Sequence, residues 1–399
     1  MKNNKILHSI IFLLTAVLLF CSSVSAASFH VNHDTTQENI TDWITNKAVK
    51  GDKLIFNSSS YNLNSTIVIT KPIHVVSYKN TVITMNSTSS MFDLNTTSVR
   101  FTGLNLINYG KTNNSDIEFS TDPIASGIRG YSWNKYIKCD IMNTNITADV
   151  AINIYRMSGS ISNSKLISQS TLWNPSSLMV SYWKGNFINS EIKSSGYGIS
   201  NFKLSTHHTE ELRWMGNIRN SNITSRYRAV DCVCWKGIMS GNRIYSFGDD
   251  ARSGPALALG FSQGTITKNI IRSNATNAIH VRSAVKVTNN RLIAKKGFSP
   301  VHRYLPDLYG SEGSSGRKGR YVYFSIHNIG YEHAKSSYLG VRYGNAFKRA
   351  YIPPIRSGKS TLVRVLIPQK TERIVAKIDH YNKIREETKK NNYIRLRNV

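Results

Sequence analysis

One eight-residue pattern, rewritten along most of the chain, limits what this sequence can fold into. Six clear copies start at Gly159 (GSISNSKL), Gly185 (GNFINSEI), Gly216 (GNIRNSNI), Gly237 (GIMSGNRI), Gly264 (GTITKNII) and Val285 (VKVTNNRL). Two looser copies precede them, at Val99 (VRFTGLNL) and Asn134 (NKYIKCDI). Offset 2 is apolar throughout the clear copies (Ile161, Phe187, Ile218, Met239, Ile266, Val287), and so is offset 7 (Leu166, Ile192, Ile223, Ile244, Ile271, Leu292). The looser copies supply Phe101 with Leu106, and Tyr136 with Ile141. Successive starts lie 35, 25, 26, 31, 21, 27 and 21 residues apart. A 21-residue unit is too short for a helical pair, and the apolar-polar alternation inside each copy has the period of a strand.

Copies of one short strand that cannot bury its apolar edge alone must stack on one another. The expected architecture is a parallel β-solenoid, with the offset-2 and offset-7 side chains forming two internal columns. Glycine at offset 0 is expected to supply positive φ at a corner. Asparagine near offsets 4 and 5 is expected to do the same while bonding to its stacked neighbours.

These coils resemble the right-handed parallel β-helix family, whose repeats read G-x-x-I-x-N-x-I. The run GDKLIFNSSSYNLNSTIVITKPIHVVSYKNTVITMNS (Gly51 to Ser87) is similar to adhesin-like surface proteins of methanogenic archaea, in which TGLNLIN, found here at Thr102 to Asn108, is a typical early coil. The resemblance spans Ala27 to Gly297. Upstream of the regular coils, TTQENITDWITNKAV (Thr35 to Val49) places Ile40, Trp43 and Ile44 at helical spacing, as a short helix covering the open first coil would require. Residues 296–320 are rich in Gly, Ser and basic residues and read as a linker.

From Tyr321 the segments HNIGYEHAKSSYLGVRYG, IPPIRSGKSTLVRVLIP and IVAKIDHYNKIREETKKNNY resemble the Ig-like CARDB module, a cell-adhesion-related β-sandwich. Asn328, Ile329, Gly330, the turn Pro354 to Gly358, and Asp379, Asn382, Ile384, Glu386, Asn391 and Asn392 carry that likeness. The expected fold is all-β: a signal peptide over 1–26, a right-handed parallel β-helix with N-terminal cap over 27–295, the linker, and a small Ig-like β-sandwich over 321–399.

The signal assignment rests on Lys2 and Lys5, on the apolar run Ile10 to Phe20, shorter than the roughly 20 residues of a membrane helix, and on the small residues Val24 and Ala26. No second long apolar run follows, so the mature chain is expected to be secreted and to reach a cell surface or wall by binding. Sequons begin at Asn39, Asn57, Asn64, Asn86, Asn95, Asn113, Asn145, Asn222 and Asn274, as an exported glycoprotein allows. Three cysteines remain, Cys139, Cys232 and Cys234; that is neither a disulfide framework nor a metal set, and no cofactor is expected.

Net charge is +28. A field of that sign favours polyanions, and for an exported chain an acidic polysaccharide or wall polymer outranks nucleic acid, with surface proteins of other cells as a further class of partner. Aromatic side chains beside cations can stack on sugar rings; the candidates are Trp173, Tyr182, Trp183, Tyr197, Trp214 and Trp235.

The competing class is a polysaccharide lyase or glycoside hydrolase. Its candidates are Asp249 and Asp250 in FGDDARSG, with Asp231 and Arg252, which resemble the paired aspartates of polygalacturonase-like enzymes. That family's Asn-Thr-Asp, Gly-His-Gly and Arg-Ile-Lys elements are missing, and adjacent strand residues face opposite ways. The HHTEEL run, with His207, His208, Glu210 and Glu211, lacks the spacing of a zinc-binding helix.

Overall fold

The computed structural model describes residues 26–112, 124–170, 176–201, 214–250, 253–282, 284–368 and 370–399. The signal segment Met1 to Ser25, Trp173, Arg252, the sequon at Asn113 and the HHTEEL run lie outside the described residues.

Each coil contributes three short strands to three parallel columns. In one coil these are Lys53–Phe56, Ser60–Leu63 and Ile67–Ile69; in the last they are Val285–Thr288, Arg291–Ile293 and Val301–Arg303. We call the columns A, B and C in chain order. Column B is a sheet of ten strands, so ten rungs at the usual spacing give a rod of about 45 Å. Ser28–Val31 pairs in parallel with Lys53–Phe56 as an additional first rung of column A. Helix Gln37–Asp42 and the π-turn Trp43–Lys47 then lay Ile40, Trp43 and Ile44 against the core, with Phe29 stacked on Trp43 at 5.2 Å. Thr36 caps this helix by accepting a hydrogen bond from the Asn39 N–H.

The two apolar columns form as the repeat dictates. Phe101, Ile141, Ile161, Phe187, Ile218, Met239, Ile266 and Val287 stack rung by rung in column A. Leu106, Ile146, Leu166, Ile192, Ile223, Ile244, Ile271 and Leu292 do so in column B. Column C, less legible in the sequence, stacks Ile128, Ile152, Leu178, Ile199, Val230, Leu257, Ile279 and Val301. The copy placed at Asn134 is misregistered: Ile141 pairs with Phe101 and Ile161, so that unit begins at Cys139 (CDIMNTNI). A five-residue slip is odd and exchanges faces, which sends Tyr136 outward.

Offset 4 is the corner between columns A and B. Asn143, Asn163, Asn189, Asn220, Lys268 and Asn289 all adopt φ between 48° and 58°, and Gly103 and Gly241 take 70° at the same place. Offset 5 builds a buried ladder. The N–H groups of Thr144, Ser164, Ser190, Ser221, Asn242 and Asn269 donate in turn to the side-chain oxygens of Ser164, Ser190, Ser221, Asn242, Asn269 and Asn290, at 2.9–3.2 Å. Backbone donors that the corner removes from the strand ladder are thereby satisfied.

Offset 0 differs from expectation. Only Gly159 and Gly264 have positive φ. Gly185, Gly216 and Gly237 are required by close approach: a Cβ there would lie 1.7, 1.6 and 1.8 Å from the carbonyl oxygen of Gly159, Gly185 and Gly216 in the preceding rung. The space is occupied by Trp183, Trp214 and Trp235, each two residues before its glycine. Their indole N–H groups donate to those same carbonyls at 3.1, 3.4 and 3.0 Å. The rings are at most 2% exposed, and Trp183 stacks on Trp214 at 4.8 Å.

Cys139, Cys232 and Cys234 are buried and none of the three is in a disulfide. Cys232 sits on a column C strand, whereas Cys234 follows it at a corner with φ 56°, so the two do not share a strand face.

The segment read as a linker is structured. Val301–Arg303 is the last column C strand, and Leu308–Lys318 is a strand of the C-terminal unit. That unit packs an antiparallel sheet of Leu308–Lys318, Tyr321–Asn328 and Ser360–Leu366 on a second of Ala346–Ile352, Ser337–Tyr343, Arg373–Lys377 and Tyr393–Arg397. Phe324, Ile326, Leu339, Val341, Ile374 and Ile394 are among its core residues. The polar residues singled out in the tail pin its irregular backbone. Asp379 accepts from the N–H of Lys383 and Ile384, Glu386 from the N–H of Leu308 and the Asn392 amide, and the Asn391 amide donates to Asp307.

Candidate functional site

Long strands Val150–Ser158 and Ser176–Lys184 run from column C into column A, so their outward residues bridge the corner. There the rungs present Tyr131, Trp133, Tyr155 and Tyr182 as one aromatic cluster. Ring centroids lie 5.3 Å apart for Tyr131 and Trp133, 5.0 Å for Trp133 and Tyr155, and 5.8 Å for Tyr155 and Tyr182. Trp133 is 57% exposed at its rim. The Arg156 guanidinium lies 4.2 Å from the Tyr182 ring centre, and the Lys184 ammonium 4.4 Å from that of Tyr136.

Beside this cluster lies a 330 Å³ cleft lined by Thr70, Asn95, Thr96, Tyr131, Lys135 and Tyr136, among others. Among the described residues, three polar atoms lining it are buried without a hydrogen-bond partner, Thr70 Oγ1, Thr96 Oγ1 and the Tyr131 hydroxyl, and Arg156 Nε in the adjoining aromatic cluster is a fourth. Buried polar atoms ordinarily have partners, so three such atoms lining one cleft mark a place suited to polar contact. Burial pushes the Tyr131 phenol up, which keeps it a neutral donor. A larger depression of 910 Å³ lies at the N-terminal cap, but among the described residues its lining includes Asp34 and Glu38 and no lysine or arginine.

The charge is unevenly carried. On the described column A strands Asp140 is the sole acidic residue, 4.0 Å from Arg100, whereas Lys53, Lys138, Arg219, Lys236 and Lys286 are basic. Column B carries Glu191 between Lys165 and Lys193, with Arg243, Arg272 and Arg291 further on.

Of the residues read from the sequence as sugar contacts, Tyr182 belongs to the cluster. Trp183, Trp214 and Trp235 do not: they face inward, where they cover the glycine column. Tyr197 is half-buried and packs on Tyr227 at 5.4 Å, with its phenol pushed up by burial and then by Asp231. Trp133, Tyr131, Tyr136, Tyr155 and Arg156 escaped sequence reasoning. The available signal was a local concentration of tyrosine with Arg156 between the Val99 and Gly185 copies.

Of the candidate catalytic carboxylates, Asp231 and Asp250 each pair with an arginine. Asp231 on column C pairs with Arg228 at 2.9 Å. Asp250, in the loop between columns B and C, lies 3.6 Å from Arg226 and accepts from the Ser253 hydroxyl at 2.8 Å, while Asp249 is exposed. Among the described residues no three His, Cys, Asp or Glu side chains come together as a metal set. Of the described sequons, Asn39, Asn64, Asn86, Asn95, Asn145 and Asn222 are exposed, while Asn57 and Asn274 are partly buried and hydrogen-bonded.

A second network joins the solenoid to the C-terminal unit. Buried Arg282 lies 3.6 Å from Glu332 and 3.3 Å from His333, and Arg303 donates to the Arg282 carbonyl at 2.6 Å. His280 stacks on Tyr304 at 3.8 Å, and Tyr304 meets Tyr331 at 4.8 Å.

The CARDB family model matches residues 309–395. No curated protein matches the chain. Among solved structures, the crystal structure of Dettilon tailspike protein (gp208) is similar at 10% identity, covering 84% of this chain and 93% of that one, with a TM-score of 0.40. The chain is a ten-rung parallel β-solenoid followed by a CARDB module.

Proposed function

We propose that this is a secreted surface protein whose solenoid binds an acidic glycan or wall polymer along its side, with the CARDB module as spacer or docking unit. The observation that carries this reading is the cleft at the column C to column A corner. Exposed Trp133, ring-stacked cations and cleft-lining polar atoms without a partner among the described residues supply the three contacts a charged sugar needs: an apolar ring face, a counter-charge and hydroxyl partners. The basic column A face extends that site along the rod, and the +28 net charge supplies long-range attraction to a polyanion.

The experiment is co-sedimentation of the purified chain with insoluble acidic and neutral polysaccharides and isolated cell wall, at low and high salt, with released sugar ends assayed in parallel. Binding to acidic polymers that weakens with salt and releases no fragments is expected. Salt-independent binding to neutral polymers would overturn the reading. Fragment release abolished by Asp249→Asn or Asp250→Asn would replace it with an enzyme.

A further inference from the structure

We infer that column A reads charge spacing: it fits a linear polyanion lying parallel to the solenoid axis with an anionic group on every second sugar. This rests on the proposed glycan-binding function and narrows it to a substrate class.

The outward row at the start of column A runs Ser98, Lys138, Ser158, Lys184, Met215, Lys236 and Gln263, each in register with the next. Lysine therefore occupies alternate rungs, and Lys138, Lys184 and Lys236 are all exposed. Two rungs place successive lysines about 10 Å apart. One sugar of an extended glycan advances about as far as one rung, so the row matches charge on alternate sugars.

The intervening rungs reinforce this. Ser158 and Met215 offer no charge, and Met215 is 39% exposed. A polymer charged on every sugar and lying on this row would set a carboxylate against the Met215 thioether, losing hydration without a counter-ion in the row, since Arg219, the cation of that rung, lies four residues further along it. In the adjoining row the Asn217 amide donates to Asn186 at 2.9 Å, and its oxygen accepts from the Ile238 N–H, so neutral hydrogen-bonding groups lie beside the lysines. Asp140, the sole acid on the described strands of this face, accepts from the Ser160 N–H and lies near Arg100, which limits its repulsion of the ligand. Lys135 and Tyr136 of the cleft lead directly into the strand that carries Lys138, so row and cleft are continuous.

The test measures binding of the full chain to two soluble polymers at matched carboxylate concentration and salt: hyaluronan, with one carboxylate per disaccharide, and polygalacturonate, with one on every sugar. Hyaluronan is expected to bind about five-fold tighter per carboxylate, the scale of three weak exposed ion pairs. The triple variant Lys138→Gln, Lys184→Gln, Lys236→Gln is expected to lose that preference. Arg243→Gln, Arg272→Gln, Arg291→Gln, which removes equal charge from column B, is expected to keep it, with melting curves confirming that both variants fold. Equal binding of both polymers by the wild type, or a preference that survives in the lysine variant, overturns the spacing inference and leaves general polyanion binding standing. Binding to neither polymer overturns both readings.

Discussion

Gly216→Ala tests whether the repeat's glycine is there for close packing or for turning. The added Cβ would fall 1.6 Å from the Gly185 oxygen and 3.0 Å from Trp214 Nε1. Rungs must part to admit it. Parting weakens the Gly185 N–H to Met215 carbonyl bond at 3.1 Å and the Trp214 indole bond to Gly185 at 3.4 Å. Overpacking costs about 1–3 kcal/mol and each buried polar group left unpaired about 1–3 kcal/mol, so a loss of about 3–5 kcal/mol is expected. Guanidinium unfolding followed by tryptophan fluorescence and near-ultraviolet circular dichroism measures it, since the stacked indoles report on the affected rungs. Gly316→Ala in the CARDB unit, where a Cβ meets nothing within 4 Å, is the control and should change stability by less than about 1 kcal/mol. If Gly216→Ala behaves like that control, the close-approach argument is wrong.

Other outcomes follow from the same geometry. Asn242→Ala removes the acceptor of the Ser221 N–H and the donor to the Ile218 carbonyl, both at 2.9 Å, and should cost about 2–4 kcal/mol in the same unfolding assay. Trp133→Ala and Arg156→Gln should each weaken acidic-glycan binding by about three- to ten-fold, a loss of roughly 1 kcal/mol per contact, while shifting the melting temperature little for Trp133, whose ring is exposed. Stability should fall as pH drops from about 6.5 to about 4. Burial, followed by His302 and Arg228, lowers His280 to about 4, and burial, followed by Arg100 and Lys53, does the same to His74. The unfolded chain binds those protons first, so each ring contributes about 1–2 kcal/mol above pH 6.5 after discounting for partial exposure, and that contribution is gone below about 4. Urea midpoints measured between pH 8 and 4 check this; a flat or rising profile on acidification would contradict it.

Much of the fold was legible because register in a solenoid is written as recurrence. The offset-2 and offset-7 residues name two of the three columns, and offset 4 predicts its left-handed corner, which Asn163, Asn189 and Asn220 occupy. Column C was harder to read because the loops before it vary in length. The slip at Asn134 arises where cysteine stands at offset 0, so the glycine that marks the start of a unit is missing at Cys139. The tryptophans were misassigned for a related reason. WKG, WMG and WKG at Trp183, Trp214 and Trp235 are a repeat in themselves, and in each the ring faces inward two residues before the glycine it covers. The cleft could not be read locally, because Thr70, Thr96 and Tyr131 meet only when rungs distant in sequence are stacked.

Lysine acylation footprinting of the full chain with and without acidic polysaccharide shows whether an acidic polymer lies along the column A face from the cleft. Lys135, Lys138, Lys184 and Lys236 are expected to be protected, while Lys165 and Lys193 on column B and the lysines of the CARDB module react as in the free chain. Protection confined to the CARDB module, or uniform over all faces, would place the polymer elsewhere and rule out binding along column A.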